Sequence, residues 1–439
     1  MNIKNFFFIF GLLAPVVAFC QPQVQSPYSR FGLGDFQSAE MLSSRSLGGL
    51  SAIYHDRNNL NPMNPASFAF LGATSFDIGV SAKNYTIKSS KDQITNWAGA
   101  LDNINLGLSL VNDFNRELEG RKSDWRFGMG LGLSPYTKVG YDVENSITKD
   151  DLTVDYNFTG EGGSYQINWS NAAKYKNFAF GANLGFLLGK VSESQYNRYS
   201  DTVVHFYNNE YITDYSYKGT NLKLGVIWDY QFKDKTKESG LRGDLLTIGG
   251  YVQPGFNINT TFNEKINRVS NAYGIKDSIF YAEEVQYSNK HPLLYAFGVG
   301  YSFEGLYRIG LNYEGANWSD FSRGFRKDPM GSASKISLGY EKLPNLKAYD
   351  SYWKKMAFRA GAFYGKDPRF VNDSQIRRYG ITIGGGFPVI IPRQDISFIN
   401  LGLEVGKDGI SSDLDQTYVK ISMSFSLTDK SWFFKQKYY

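Results

Sequence analysis

The chain has 439 residues and a formal charge of only +5, with Lys, Arg, Asp and Glu interspersed, so nothing marks a nucleic-acid surface. Aromatic residues make up 16% of it and there are 45 glycines, yet mean hydropathy is -0.36. Beyond the first twenty residues no apolar run reaches the roughly 18 residues that a membrane helix needs.

Met1 to Cys20 reads as a secretory signal peptide: Lys4 supplies the positive region, Phe6 to Phe19 the apolar stretch, and Ala18 and Cys20 a small-x-small cleavage site. Lipidation of Cys20 is the rival reading, with Phe19 standing where a small residue is expected. On the favoured reading the only cysteine leaves with the signal, and the mature chain has no thiol chemistry. Residues 21–73 follow, rich in Ser, Asn and Pro, with Ser26 to Asp35 and Asn61 to Ser67 as their densest stretches. Scattered Leu, Phe, Tyr and Met favour a packed, irregular segment.

From Thr74 the pattern changes to alternation. The last strand is the clearest: Val419, Ile421, Met423, Phe425 and Leu427 share one face, and Lys420, Ser422, Ser424 and Ser426 the other. A strand has a side-chain period of two, so one face is apolar and the other polar. About fourteen such strands are expected between residues 74 and 428. Tight turns at Lys176-Asn177 and Glu304-Gly305 alternate with the long polar segments 85–102, 145–162, 198–212, 265–291 and 318–332, read as loops. An even strand count, aromatic strand ends and alternating turn lengths indicate an all-β fold, a 14-stranded antiparallel transmembrane β-barrel of the Gram-negative outer membrane. Residues 21–73 would be its N-terminal hatch, and 429–439 a periplasmic tail.

With the apolar face toward lipid, the other lines the lumen. It carries Arg126, Lys223, Asp229, Arg308, Glu314, Glu341, Arg359 and Glu404, with Asp77, Lys335, Arg378 and Lys420, and many glycines between them. Charges there must be paired or hydrated, and glycines leave room for a plug or ligand against the wall. Pro135 falls inside the third strand and Pro254 inside the seventh. A mid-strand proline donates no ladder hydrogen bond and implies a bulge or gap. The three histidines, His55, His205 and His291, form no metal-ligand spacing, and Gly384-Gly385-Gly386 lacks the Lys-Ser/Thr of a phosphate loop. No cofactor, metal or enzymatic constellation is indicated.

The chain resembles the FadL/TodX family of outer-membrane hydrophobic-compound transporters, in a Bacteroidota-type branch. Asn64-Pro65-Ala66 matches the Asn-Pro-Ala that closes the family's hatch, and Ser134-Pro135-Tyr136 sits where the family has Ala-Pro-Tyr/Phe followed by Gly, with Thr137 and Lys138 here instead. The resemblance implies passive uptake of a hydrophobic small molecule, such as a long-chain fatty acid or hydrocarbon, or binding of lipid or detergent, with a lateral exit at Pro135. The charged lumen and polar loops point to another class: a non-transporting structural or accessory subunit of an outer-membrane assembly or secretion complex, with outer-membrane protein partners. Cysteines placed at Asn208 and Lys276 are expected to react with a membrane-impermeant maleimide on intact cells, and one at Asn177 only after lysis; labelling of position 177 from outside would invert the topology.

Overall fold

The computed structural model describes residues 26–89, 93–111, 123–149, 152–200, 207–232, 243–270, 275–321, 330–346, 351–371, 373–390, 396–410 and 414–429. The expected signal peptide and nearly all of the expected tail lie outside these residues. The inner face of the wall meets an N-terminal segment that holds one short strand, β1 (Asp35–Phe36), one α-helical turn, α1 (Leu42–Arg45), and two 3-10 turns, Pro27–Arg30 and Pro65–Phe70. The wall strands are β2 (Thr74–Ser89), β3 (Gln93–Ser109), β4 (Trp125–Lys149), β5 (Leu152–Tyr175), β6 (Phe178–Ser200), β7 (Asn208–Gln231), β8 (Leu245–Gln253), β9 (Phe256–Ser270), β10 (Ile275–His291), β11 (Leu294–Phe303), β12 (Tyr307–Asn317), β13 (Ser332–Lys342), β14 (Ala357–Val371), β15 (Ser374–Ile390), β16 (Ile396–Ile410) and β17 (Leu414–Asp429).

These sixteen strands make fourteen spans, because two spans are interrupted. β8 and β9 are halves of one span parted at Pro254-Gly255, and β10 and β11 halves of the next, parted at Pro292-Leu293. All pairs are antiparallel, and β17 closes on β2 from Leu414↔Ser89 to Asp429↔Thr74. The protein is a closed 14-stranded antiparallel barrel. Its belt is apolar outward: Leu222, Leu224 and Val226 on β7, and Ile309 and Leu311 on β12, are exposed, while Lys223 and Asn312 on the same strands are buried. Turn chemistry matches the tight ends, where Lys176, Glu304 and Gly305 take positive φ of 51°, 46° and 67°.

The segments read as long loops are mostly strand. β4 has 25 residues and β12 has 11, so at about 3.3 Å per residue β4 reaches roughly 80 Å, far more than a bilayer core of about 30 Å requires. Beyond the apolar belt β4, β5, β6, β7, β9 and β10 continue as one sheet. There the strands no longer separate lipid from lumen, which weakens the strict alternation of the belt and made 145–162 and 198–212 read as loops. Part of the sheet's surface packs over the barrel mouth. Tyr141, Leu187, Tyr215, Tyr217 and Phe262 bury themselves against Leu33 of the N-terminal segment and against Trp318 and Phe321 beyond β12.

Residues 26–73 lie inside the barrel. Wall glycines around the circumference abut them: a Cβ on Gly128 would lie 2.0 Å from the Phe68 carbonyl, on Gly181 2.3 Å from the Ala66 nitrogen, on Gly249 2.5 Å from the Ala52 carbonyl, and on Gly361 2.2 Å from the Gly48 nitrogen. The segment carries its own apolar residues into the lumen, and Leu47, Leu50, Ala52, Met41 and Ala66 are at most 1% exposed. Glycine at these wall positions is thus a packing requirement. Gly128→Val is expected to force Phe68 and its neighbours off the wall, at a cost of about 1–3 kcal/mol. Small-solute influx should rise while the barrel stays heat-modifiable on gels. Unchanged influx would show that the segment does not seal the lumen.

Candidate functional site: the seam between β3 and β4 and the inner segment

The seam begins where two strands part. β3 and β4 pair over six positions, from Ser109↔Gly128 to Ile104↔Leu133. Above Leu133 come Ser134 and Pro135, both buried, and then a bulge: β4 pairs with β5 at Pro135↔Tyr165 and next at Thr137↔Ser164, leaving Tyr136 extra. Proline has no N–H for a ladder bond, and the bulge bends β4. From this point the edge of β4 is taken by the chain's own inner segment. β1 pairs through Asp35↔Lys138 and Phe36↔Thr137. Gln37 N–H donates to the Tyr136 carbonyl at 2.9 Å and Ser26 N–H to the Gly140 carbonyl at 3.1 Å. Gly140 N–H donates to Ser29 Oγ at 3.1 Å.

Tyr136 ties this seam to the cap. Its hydroxyl lies 2.5 Å from His291 Nε2. His291 Nδ1 is 2.8 Å from the Pro292 carbonyl, which can only accept, so Nδ1 carries the hydrogen and a neutral ring takes the tyrosine hydrogen at Nε2. Phe36 sits edge-on to Tyr136 at 6.0 Å and 4.9 Å from Trp318.

Asn64-Pro65-Ala66 occupies the opposite end of the segment. Asn64 is fully buried and caps the 3-10 turn Pro65–Phe70, its Oδ1 accepting from Ala66 N–H at 3.1 Å. Its Nδ2 donates to the Ala52 carbonyl at 2.6 Å and reaches the wall carbonyls of Val226 and Gly250 at 3.3 Å each. Pro65 supplies the preset φ of the first position, and the Pro65-Ala66 backbone lies so close to the wall that Gly181 has no room for a side chain. The motif therefore staples the segment to β7 and β8.

The inward charges form braces between wall and segment. Arg45 contacts Asp102 on β3 at 2.5 Å, Glu40 contacts Lys335 on β13 at 2.6 Å, and His55 contacts Asp229 on β7 at 3.2 Å. Ser51 donates to Glu314 on β12. Arg359 bonds Glu341 at 2.8 Å and Asn400 at 2.9 Å, with Arg308 3.4 Å from the same Glu341. Glu404 accepts from the Tyr418 hydroxyl at 2.7 Å, Lys223 lies 5.3 Å over the Tyr251 ring, and Arg126 is half-buried opposite Lys174. Arg369, on β14 and 2% exposed, is missing from the sequence-based set. It bonds Asp367 at 2.7 Å, Asp35 at 2.8 Å, and the carbonyls of Tyr28 and Gly34 at 3.1 and 3.2 Å. The sequence signal was masked because Lys366-Asp367-Pro368-Arg369 breaks alternation at a bulge between Lys366 and Phe370. Burial alone would raise the Asp35 carboxyl, but Arg369, Lys83 and Arg378 outweigh it and hold it at about 2.

Between the inner segment and the wall lies a cavity of about 360 Å³. Eight of its lining side chains are Lys or Arg and five are Asp or Glu, with Arg45 and Lys420 paired to Asp102 and Lys83 and Arg378 to Asp408, while Phe36, Met63, Leu294, Trp318 and Phe363 give it apolar wall as well. Ala98, Gly99 and Ala100 of β3 border it beside the seam. Among the described residues no group of three or more His, Cys, Asp or Glu has the arrangement of a metal site.

A family model described as BamG matches residues 2–439. The chain belongs to the BamG family. No curated protein matches it in sequence. Its barrel is similar to several solved channels. The Pseudomonas putida toluene transporter TodX is 15% identical, with a TM-score of 0.53 over 90% of this chain and 98% of that one. A Pseudomonas aeruginosa FadL homologue is 12% identical, with a TM-score of 0.54 over 91% and 99%. The CymD monoaromatic hydrocarbon channel is 14% identical, with a TM-score of 0.52 over 91% and 98%. At these identities the likeness is one of fold, that of outer-membrane channels, while family membership is BamG.

Arg369→Gln should leave Asp35 and Asp367 buried without their cation, at a cost of about 3–5 kcal/mol. Released from β14, residues 28–36 should become cleavable after Arg30 by trypsin added outside. Wild-type resistance in the variant would show that this brace does not hold the segment.

Proposed function

We propose that this protein is a non-transporting structural subunit of an outer-membrane assembly complex. The observation that carries this reading is the cross-braced lumen. The inner segment is bonded to β3, β7, β13 and β14 through Asp102, Asp229, Lys335 and Arg369. It also supplies the strand that completes β4. Moving it aside separates the buried Arg45–Asp102 and Arg369–Asp35 pairs, and removing a partner from such a pair costs about 3–5 kcal/mol. Such a lumen suits a rigid scaffold better than a conduit. Membership of the BamG family, rather than a match to a transporter family, supports the same reading.

A second reading, passive uptake of a hydrophobic molecule with an anionic head, is favoured by the cation-rich cavity beside the seam. Mild-detergent purification of the tagged full chain from native outer membranes separates the two. A heterologous outer-membrane protein at fixed stoichiometry is the expected result. A lone barrel that takes up fatty acid in liposomes, with uptake falling in Lys138→Ala, would overturn the subunit reading in favour of the second.

A further inference from the structure

The parting of β3 from β4 leaves two edges, and the structure accounts for one of them. β4 is satisfied by the inner segment from Tyr136 to Gly140. β3 is bonded to β2 along its length, but on its other side its ladder covers only Ile104 to Ser109. Among the described residues, Gln93 to Asn103 have no backbone partner on that side.

The lower half of this free edge lies within the apolar belt. Leu101 is opposite Val80, which is opposite Met423; Trp97 is opposite Asn84, which is opposite Val419. Val80, Leu101, Trp97 and Val419 are exposed on the outer surface, at 45%, 43%, 63% and 38%. Lipid tails offer no hydrogen bonds, and an unpaired backbone group in hydrocarbon costs several kcal/mol. Closure of β3 on β4 would satisfy it only by displacing β1. The spacing of donors and acceptors along a strand edge is matched by another strand.

We propose that the β3 edge, residues 93–103, takes an extended segment of a different outer-membrane polypeptide as an added strand. This rests on the subunit reading and names its interface. The small residues Ala98, Gly99 and Ala100 let a partner backbone approach, and Trp97 and Leu101, on the outward face, offer apolar contact for its alternate side chains. A second copy of the chain fits poorly. Two copies in one membrane run β3 in the same direction, and a two-fold axis along the membrane normal sets each N–H at the height of its own mate, so donors face donors.

The test uses the full chain in its native membrane. A photo-crosslinking residue is placed at Trp97, and a control at Leu403, which is exposed on β16. The expected result is a crosslink at 97, and not at 403, to the same protein that co-purifies at fixed stoichiometry. Gly99→Pro, with heat-modifiability retained, should lower that co-purification at least about tenfold, or ~1.4 kcal/mol of binding. Should Gly99→Pro disturb the wall, the crosslink pattern alone decides. Stoichiometric co-purification with crosslinks at 97 no stronger than at 403 would overturn the edge while leaving the subunit reading intact. A crosslink to a second copy, or to lipid alone, would overturn it as well. Absence of any partner would remove both.

Discussion

A membrane barrel depends on backbone pairing: with no water in the hydrocarbon, each strand needs a bonded neighbour on both sides. Within the apolar belt, and among the described residues, the seam where Ser134-Pro135-Tyr136 turns β4 away from β3 is where that requirement is not met by neighbouring wall strands. The chain answers on one side by folding its own N-terminal segment back to pair with β4. The position of that segment, the charges that hold it and the cap above it all follow from this seam. Tyr136 joins them directly, because its carbonyl accepts from the inner segment while its ring and hydroxyl meet the cap through Phe36 and His291.

Two kinds of packing hold the interior. Inward glycines such as Gly128, Gly181 and Gly361 let main chain press against main chain, which excludes water but offers no specificity of its own. Direction and register come from buried polar groups: Asn64 with the Val226 and Gly250 carbonyls, Arg45 with Asp102, and Arg369 with Asp35. Such pairs add little net stability compared with apolar packing, yet losing one partner is costly. The segment is thus held in one place rather than merely enclosed.

The barrel architecture of the solved channels here surrounds a lumen packed by the chain's own N-terminal segment. The likeness to the hydrocarbon channels spans about nine-tenths of this chain at 12–15% identity. Such likeness conveys the arrangement of strands, while function resides in side chains placed on it. Here cations and carboxylates share the cavity's lining with aromatic and aliphatic side chains such as Met63, Leu294 and Phe363, with an aromatic cap over the mouth.

What the sequence determined by itself was what depends on local periodicity. Alternation in strands such as Tyr418–Leu427 set the barrel class, the face turned to lipid and the inward placement of Lys223, Glu341 and Arg359, since a period of two assigns every side chain to a face. Pro135 also marked the bulge, because a missing N–H is a local property. Tertiary structure alone decided which inward charges meet. Arg45 and Asp102 are 57 residues apart, and Asp35 and Arg369 are 334 apart, so their pairing depends on how the segment threads the closed wall. It also decided that β4 to β7 run on past the belt, where strands no longer separate lipid from lumen and periodicity carries no signal. The free edge of β3 was invisible for a related reason: being unpaired is a property of the neighbour's path, and most of Gln93 to Asn103 read as part of the loop 85–102 rather than as strand.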